Sequence, residues 1–474
     1  MKILFAASEC VPFIKTGGLA DVAGTLPKAI TELGSDNEIR VILPKYKKIP
    51  EKYRYNMRHV FDTWINMGWR SQFLGIDEYV LDGVTYWFVD NEFYFGGDWV
   101  YGYGEFETER FCFFCKAVME SLRMLNFIPD VIHANDWQTG YLPLLVHEYA
   151  KRPDYSNIRT VFTIHNLRFQ GWSPRGLVDD LLSLGADALG DIESGGSVSA
   201  MRAALKYSTK ISTVSPTYAK EILTPEFGES LDGMLRWRAG DLVGILNGIS
   251  TKLFDPMTDE AIAKHYDANT LTGKHACKKA LIKELGLENN DKKPLFAVIS
   301  RLTDQKGMDK VLGILPELLN KGCQAVVLGM GDERYERDFG RLAEESPNFV
   351  FRAEMNDGLA RRIYAGADVF LMPSEFEPCG LSQLMALRYG CIPLVRETGG
   401  LADTVIPYNR FEKTGNGFSF WGRGWDSFRD VVLLSLEVYA NKREWNALVR
   451  RAMACDFDWR VSAKKYLELY SWLW

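Results

Sequence analysis

Arg301 and Lys306 lie in the segment SRLTDQKG (residues 300–307), directly after the apolar run PLFAVIS. Two cations fixed at one strand end suit a pyrophosphate. If a nucleoside diphosphate departs there, its charge grows in the transition state, and preorganised cations would lower the barrier directly. The alternative is a solvated loop with a surface ion pair. Glu377 and Cys379 lie in EFEPCGL (375–381), which follows ADVFLMPS. A carboxylate ahead of a Pro and Gly turn could hold sugar hydroxyls. Thr398, Gly399 and Gly400 follow IPLVRE and open a helical pattern. Paired glycines let a backbone approach a phosphate closely, and a helix N-terminus supplies oriented N–H groups.

The first half carries a similar set. Lys15, Gly17 and Gly18 follow the first apolar run and precede a helix, which suits either a phosphate cradle or a tight turn. Asp136 and Trp137 follow PDVIHA. They could bind a sugar by hydrogen bond and stacking, or serve as a helix cap and a core ring. His165 and Asn166 end the strand pattern RTVFTIH and suit a cleft wall, with a structural histidine as the alternative. The loop Gly329-Met330-Gly331 approaches a dinucleotide fingerprint, but Arg334 stands at its third glycine position. Cys112 and Cys115 form a C-x-x-C inside FCFFCKAVMESL, which reads as a buried helix rather than a zinc or redox site.

These residues need elements to hold them. KILFAA, EIRVILP, PDVIHA, RTVFTIH and TKISTVS are short apolar runs separated by helical or polar sequence. The pattern restarts with PLFAVIS, QAVVLGM, FVFRA, ADVFLMP and IPLVRE. Such alternation predicts strand–helix–strand units and two parallel, doubly wound sheets. In that architecture ligands bind outside the carboxyl ends of the strands, where the candidate residues fall. The turn signals around Asn247-Gly248 set a boundary, giving domains 1–247 and 248–474. The final segment FDWRVSAKKYLELYSWLW reads as an amphipathic helix whose apolar face must dock on something.

At 474 residues the chain is too long for one core. Hydrophobic residues make up 47%, charged residues 25%, and the net charge is −6, so neither a nucleic acid nor an anionic membrane is an expected partner. MKILFAASEC lacks the length of a signal peptide and reads as a first strand. Scattered cysteines suit a reducing compartment, and the expected location is cytoplasmic. No Asp-x-Asp or His/Asp cluster suggests a metal site, and no cofactor is expected.

The motifs then combine. SECVPFIKTGGLADV (8–22), HANDW, TIHN, TVSPTYA, GILNGI, SRLTDQKG, PSEFEPCGL, TGGLADTV and AMACDFDW recur in this order in bacterial glycogen synthases and plant starch synthases, and the chain resembles that family over nearly its whole length. The resemblance implies a GT-B fold: two Rossmann-like domains facing across a deep cleft, the first acceptor-side and the second nucleotide-sugar-binding, with residues 456–474 crossing back to the first. It implies transfer of glucose from ADP-glucose to the non-reducing 4-hydroxyl of an α-1,4-glucan, with retention and without a metal.

The family roles fall on this sequence as follows. Lys15, Gly17 and Gly18, with Asp21 beside them, would meet the donor's phosphates and glucosyl group. Asp136, Trp137, His165 and Asn166 would line the glucosyl pocket, and His165 would stabilise the oxocarbenium-like centre. Asn247 would help hold the sugar, and Tyr94 matches a position near the acceptor. Arg301 and Lys306 would take the part of a metal. Glu377 would orient the donor glucose with Cys379 beside it, and Thr398, Gly399 and Gly400 would bind the distal phosphates through backbone N–H groups. A phosphate oxygen of the leaving group can take the acceptor's proton, unlike the two-carboxylate glycosidase scheme.

Some positions depart from the family pattern. Ser250 stands where Asp is usual, Met355 where an aromatic often faces adenine, and Met385 where many GT-B enzymes carry a second glutamate. The stretch 173–200 is short, and Met201-Arg202-Ala203-Ala204 replaces a lysine-containing helix. The competing readings are a UDP-glucose enzyme, a phosphorylase-like enzyme with pyridoxal phosphate, and a glucan-binding protein without catalysis. A nicotinamide oxidoreductase is disfavoured by the missing fingerprint.

Overall fold

The computed structural model describes residues 1–34, 36–184 and 187–474. The chain divides into two compact units. The first comprises Met1–Asn247 with Trp459–Trp474, and the second comprises Gly248–Asp458.

The first unit is built on β1 (Lys2–Ala6), β2 (Glu38–Pro44), β3 (Arg58–Met67), β4 (Arg70–Leu81), β5 (Val84–Asp90), β6 (Val131–Asn135), β7 (Arg159–Ile164), β8 (Trp172–Pro174), β9 (Ser197–Ser199), β10 (Lys210–Thr213) and β11 (Leu242–Gly244). The main sheet has the order β11-β10-β7-β6-β1-β2-β5-β4-β3. Its strands run parallel from β11 through β5. Only β4 runs against its two neighbours, so β3, β4 and β5 form a meander at one edge. Wholly buried runs such as Ile3–Ala6 and Val131–Asn135 form the centre, as parallel strands covered on both faces must. The order reverses between β1 and β6, which makes their carboxyl ends the switch point of this unit. The short antiparallel pair β8–β9 brackets most of the stretch expected to be short. Gly185 and Ala186 of that stretch lie outside the described residues. The helix Ala200–Tyr207 follows, capped by the Ser199 side chain on the Arg202 N–H.

The second unit has β12 (Leu295–Ile299), β13 (Gln324–Leu328), β14 (Phe349–Arg352), β15 (Val369–Met372), β16 (Ile392–Arg396) and β17 (Phe418–Phe420). They form one parallel sheet ordered β14-β13-β12-β15-β16-β17. This is the doubly wound 3-2-1-4-5-6 order, with the switch point between β12 and β15.

The final helix, Trp459–Ser471, buries Trp459, Ala463, Tyr466, Leu469 and Tyr470 and packs on the helix Gly18–Glu32. The helix Phe106–Met124 buries Cys112 and Cys115, and all eight cysteines are free thiols. Burial pushes the Cys115 thiol up to about 12. Tyr86, Trp87 and Phe88 of β5 are core rings, whereas Phe93, in the short helix Glu92–Phe95 that follows, and Trp99 beyond it are exposed.

Candidate active site

In the first unit, the loop between β1 and the helix Gly18–Glu32 is tied down by a residue that motif reading passed over. The buried Glu9 carboxylate accepts from the Thr16 N–H (2.5 Å), the Thr16 hydroxyl (2.8 Å) and the Gly17 N–H (3.2 Å). Burial raises its carboxyl above the ordinary range against the pull of these bonds. The N–H groups of Thr16 and Gly17 are therefore engaged by a carboxylate. An anion approaching this loop meets chiefly Lys15, which is half exposed and pairs with Asp21 at 2.9 Å. Gly17 caps the helix and Gly18 begins it.

Asp136, His165 and Asn166 come together where β6 and β7 end. Asp136 Oδ1 accepts from the His165 N–H (2.8 Å) and the Asn166 N–H (3.4 Å). Asp136 holds φ 56° and ψ 178°, a conformation that a non-glycine residue keeps only when its surroundings impose it. The Asp136 N–H donates to Thr163 O, and the Thr139 N–H donates to Asp136 O. Burial pushes the Asp136 carboxyl up to about 7, and the charge of Glu9 adds to the effect while the two N–H bonds oppose it. Burial pulls His165 down to about 3, so the ring is neutral at working pH. Trp137 is half-buried, edge-on to Phe111, and one ring face is closed by Gly171. A Cβ on Gly171 would lie 2.3 Å from that ring, and its φ of +63° also favours glycine. Asn247 is buried, and its Oδ1 has no hydrogen-bond partner among the described residues. A buried amide oxygen in that state suits a ligand hydroxyl.

Tyr94, expected near an acceptor, is a core ring. Its ring is only 2% exposed, packs on Phe106 and Phe113, and donates its hydroxyl to Glu109 at 2.7 Å. The aromatic cluster around the helix Phe106–Met124 absorbs it, so it offers no open face to a glucan here.

In the second unit, the loops after β12 and β15 are stitched together. Lys306 Nζ meets Glu377 Oε2 at 2.6 Å, and Ser374 donates to the same oxygen at 3.2 Å. The Glu375 N–H donates to Gln305 O, and Lys310 pairs with Glu375 at 2.5 Å. Arg423 lies 3.2 Å from the other Glu375 oxygen. Lys306 is thus held in place by a carboxylate. Arg301 is exposed, with no ion-pair partner among the described residues.

Gly399 and Gly400 begin the six-residue helix Gly399–Thr404, capped by Thr398. Gly399 has φ +45°, and a Cβ there would lie 2.0 Å from Glu377 O. A Cβ on Gly400 would lie 2.1 Å from the carbonyl of the buried Cys379. The two glycines thus let the Glu377–Cys379 turn sit against the helix start. The Gly400 N–H donates to the carbonyls of Glu377 and Pro378, and the Thr398 N–H donates to Arg396 O. A phosphate would have to compete for both, so the expected backbone cradle is largely engaged within the protein.

Sequence reading did not single out Glu9, Asn135, Lys310, Glu375 or Arg423. A usable signal existed for three of them: Glu9 stands three residues past the first strand, Lys310 stands one turn after Lys306, and Glu375 precedes Glu377 on one turn. Among the positions departing from the family pattern, Met355 is exposed, Met385 packs on the core, and Ser250 accepts the Leu253 N–H. Among the described residues, no group of three or more His, Cys, Asp and Glu side chains could hold a metal ion. No helix there is long and apolar enough to cross a membrane.

Residues 2–237 match a family described as starch synthase catalytic domain, and residues 283–446 match glycosyl transferases group 1. A glycogen synthase of Geobacillus thermodenitrificans is 47% identical over 100% of this chain and 98% of its own. One from Clostridium perfringens is 48% identical over 99% and 98%. The catalytic domain of starch synthase IV from Arabidopsis thaliana, solved with ADP and acarbose, superposes with a TM-score of 0.90 at 30% identity over 99% of both chains. A sucrose-phosphate synthase from Thermosynechococcus elongatus, 16% identical, has a TM-score of 0.63 over 100% of this chain and 98% of its own, a likeness of fold alone. With such identity over full length, on a GT-B fold of two doubly wound α/β units, the chain belongs to the glycogen synthase family of glucosyltransferases.

Proposed function

We propose that the chain transfers glucose from ADP-glucose to the non-reducing 4-hydroxyl of an α-1,4-glucan in the cytoplasm, with retention and without a metal. The observation that carries this reading is the Lys306–Glu377 pair, one cation and one carboxylate fixed together at the strand ends of the second unit. The ammonium would meet the distal phosphate of the donor, and the carboxylate would orient the glucosyl hydroxyls. Arg301 supplies a second positive charge for the same diphosphate. Departure of ADP concentrates charge on that phosphate, so both cations act more strongly in the transition state than in the ground state. In the first unit, Asp136, His165, Asn166 and the unpartnered Asn247 Oδ1 line the glucosyl group. Neutral His165 donates no proton, and a leaving-group phosphate oxygen takes the acceptor's proton. The ADP and acarbose held by the Arabidopsis starch synthase support the adenine donor and the glucan acceptor.

The test is release of nucleotide from ADP-glucose and from UDP-glucose, with maltooligosaccharide acceptors and EDTA present. The expected outcome is an α-linked product with a higher kcat/KM for ADP-glucose, unaffected by EDTA. Equal or better use of UDP-glucose would refute the donor assignment, and activity that returns only on adding a divalent ion would refute metal independence.

A further inference from the structure

Asn135 is the last residue of β6, at the switch point of the first unit, and it is fully buried. Its side-chain Nδ2 donates to Ala6 O, at the end of β1 (3.1 Å), and to His133 O (3.3 Å). Its Oδ1 faces His165 Nε2, just past the end of β7, at 2.9 Å. One amide therefore ties the ends of three strands together.

The chemistry of this arrangement fixes hydrogens that coordinates alone leave open. Carbonyl oxygens accept only, so both must receive the two N–H bonds of the Asn135 amide. Turning the amide over would set its oxygen against two carbonyl oxygens. The Asn135 Oδ1 must then face the ring, and as an oxygen it too only accepts. The His165 nitrogen opposite must carry the proton. A neutral imidazole has one N–H, so the other nitrogen, Nδ1, is left with a bare lone pair. That nitrogen has no hydrogen-bond partner among the described residues.

We propose that Asn135 is a positioning residue that holds His165 as its Nε2–H tautomer, so that the ring can offer a bound glucosyl unit only a hydrogen-bond acceptor, Nδ1. This rests on the reading, given above, that His165 lines the glucosyl pocket. Its consequence is that His165 recognises a sugar hydroxyl as donor and takes no part as acid. The low-dielectric surroundings that keep the ring neutral act in the same direction.

The test reads the tautomer without any donor. The chain has six histidines, so two-bond nitrogen–proton correlation of a 15N-histidine sample resolves each ring, with His165→Gln to identify its signals. Nε2 protonated and Nδ1 bare in the unliganded wild type supports the proposal. A wild-type ring protonated at Nδ1, or at both nitrogens at neutral pH, would overturn it. In a folded Asn135→Ala chain the two tautomers should mix. Then kcat should fall in proportion to the rings that lose the Nε2–H form, by about twofold for an equal mixture, with the donor KM changed far less. A ring that keeps its Nε2–H form in Asn135→Ala would overturn the positioning role. A mixed tautomer with unchanged kcat would leave that role standing and sink the placement of His165 against the glucosyl group.

Discussion

Lys306 can help a departing phosphate only if its ammonium is in place before the bond to glucose stretches, and Glu377 at 2.6 Å provides that placement. Lys306→Gln keeps much of the length and deletes the charge. By analogy with losing one donor from an oxyanion hole, kcat should drop by about 10²–10³ while KM moves less. A folded variant with near-normal kcat, checked by steady-state kinetics and circular dichroism, would make this lysine a loop strut. Asp136 offers a second test, through stability. Its carboxyl lies at about 7 in the folded chain and near its ordinary 3.8 once unfolded. Between those values the folded state holds a proton that the unfolded state has released. The contribution is complete below about pH 4 and is lost as pH rises through about 7. Asp136→Asn cannot titrate, so urea unfolding should find it gaining on wild type as pH rises over that range, and a constant difference would show that the carboxyl is not held neutral. At this scale, Lys306, Glu377, His165 and Asp136 were legible because chemistry-bearing types followed apolar runs. Asn135 was not, because its partners, Ala6 O and His165 Nε2, depend on which strand ends lie side by side. The burial of Tyr94 was not legible for the same reason, since nothing in its local sequence tells that Phe106 and Phe113 cover it.

The strands that carry the second unit's chemistry are fixed from their opposite ends. Lys278, on the helix Thr272–Leu285, puts Nζ 2.7 Å from Asp368, 2.6 Å from Lys293 O and 2.9 Å from the Tyr439 hydroxyl. Asp368 also accepts the Leu295 N–H at 2.8 Å. The pair therefore staples the starts of β12 and β15, the strands flanking the switch point. Both charges are buried, so removing one leaves the other without compensation in a dry core. Lys278→Met should cost about 3–5 kcal/mol of second-unit stability. Adding Asp368→Asn removes the stranded charge yet keeps an acceptor for Leu295, so the double variant should lose less than the sum of the singles. Additive losses in denaturant titrations would mean the two residues act separately. Neither residue is conspicuous in sequence, where a lysine on an amphipathic helix reads as solvent-facing. The strands themselves were plain, because parallel strands buried on both faces become unbroken apolar runs. The meander β3–β5 is hard to read because RHVFDTWINM, the edge strand, and RSQFLGIDEYVL, its only neighbour, mix charged and apolar residues, as antiparallel strands with one face toward solvent do.

The chain leaves the first unit at Asn247, builds the whole second unit, and returns at Trp459. The amphipathic pattern and aromatic ending of the last segment announced a docked helix, and the family resemblance supplied its destination. What neither could supply is the polar contact at its end. The Tyr470 hydroxyl lies 2.7 Å from His133 Nδ1, His133 Nε2 lies 2.6 Å from the Thr163 hydroxyl, and Thr163 lies 2.6 Å from the Ser212 hydroxyl. The last helix is thereby joined to β6, β7 and β10 through a run of fully buried groups. Burial pulls His133 down to about 3, so its ring is neutral and each nitrogen needs a partner of one kind or the other. Tyr470→Phe keeps the ring packing and removes one hydroxyl, leaving Nδ1 unsatisfied where water does not reach. The expected cost is about 1–3 kcal/mol. Trp472→Ala, at a side chain 57% exposed, should cost about 0.5 kcal/mol or less and serves as the control. Because the contact belongs to the first unit, limited proteolysis near the unfolding midpoint should cut Tyr470→Phe first within 1–247 and leave 248–458 intact. A Tyr470→Phe chain as stable as wild type would show that the hydroxyl bond contributes nothing. One cut first within 248–458 would show that the last helix supports the second unit instead.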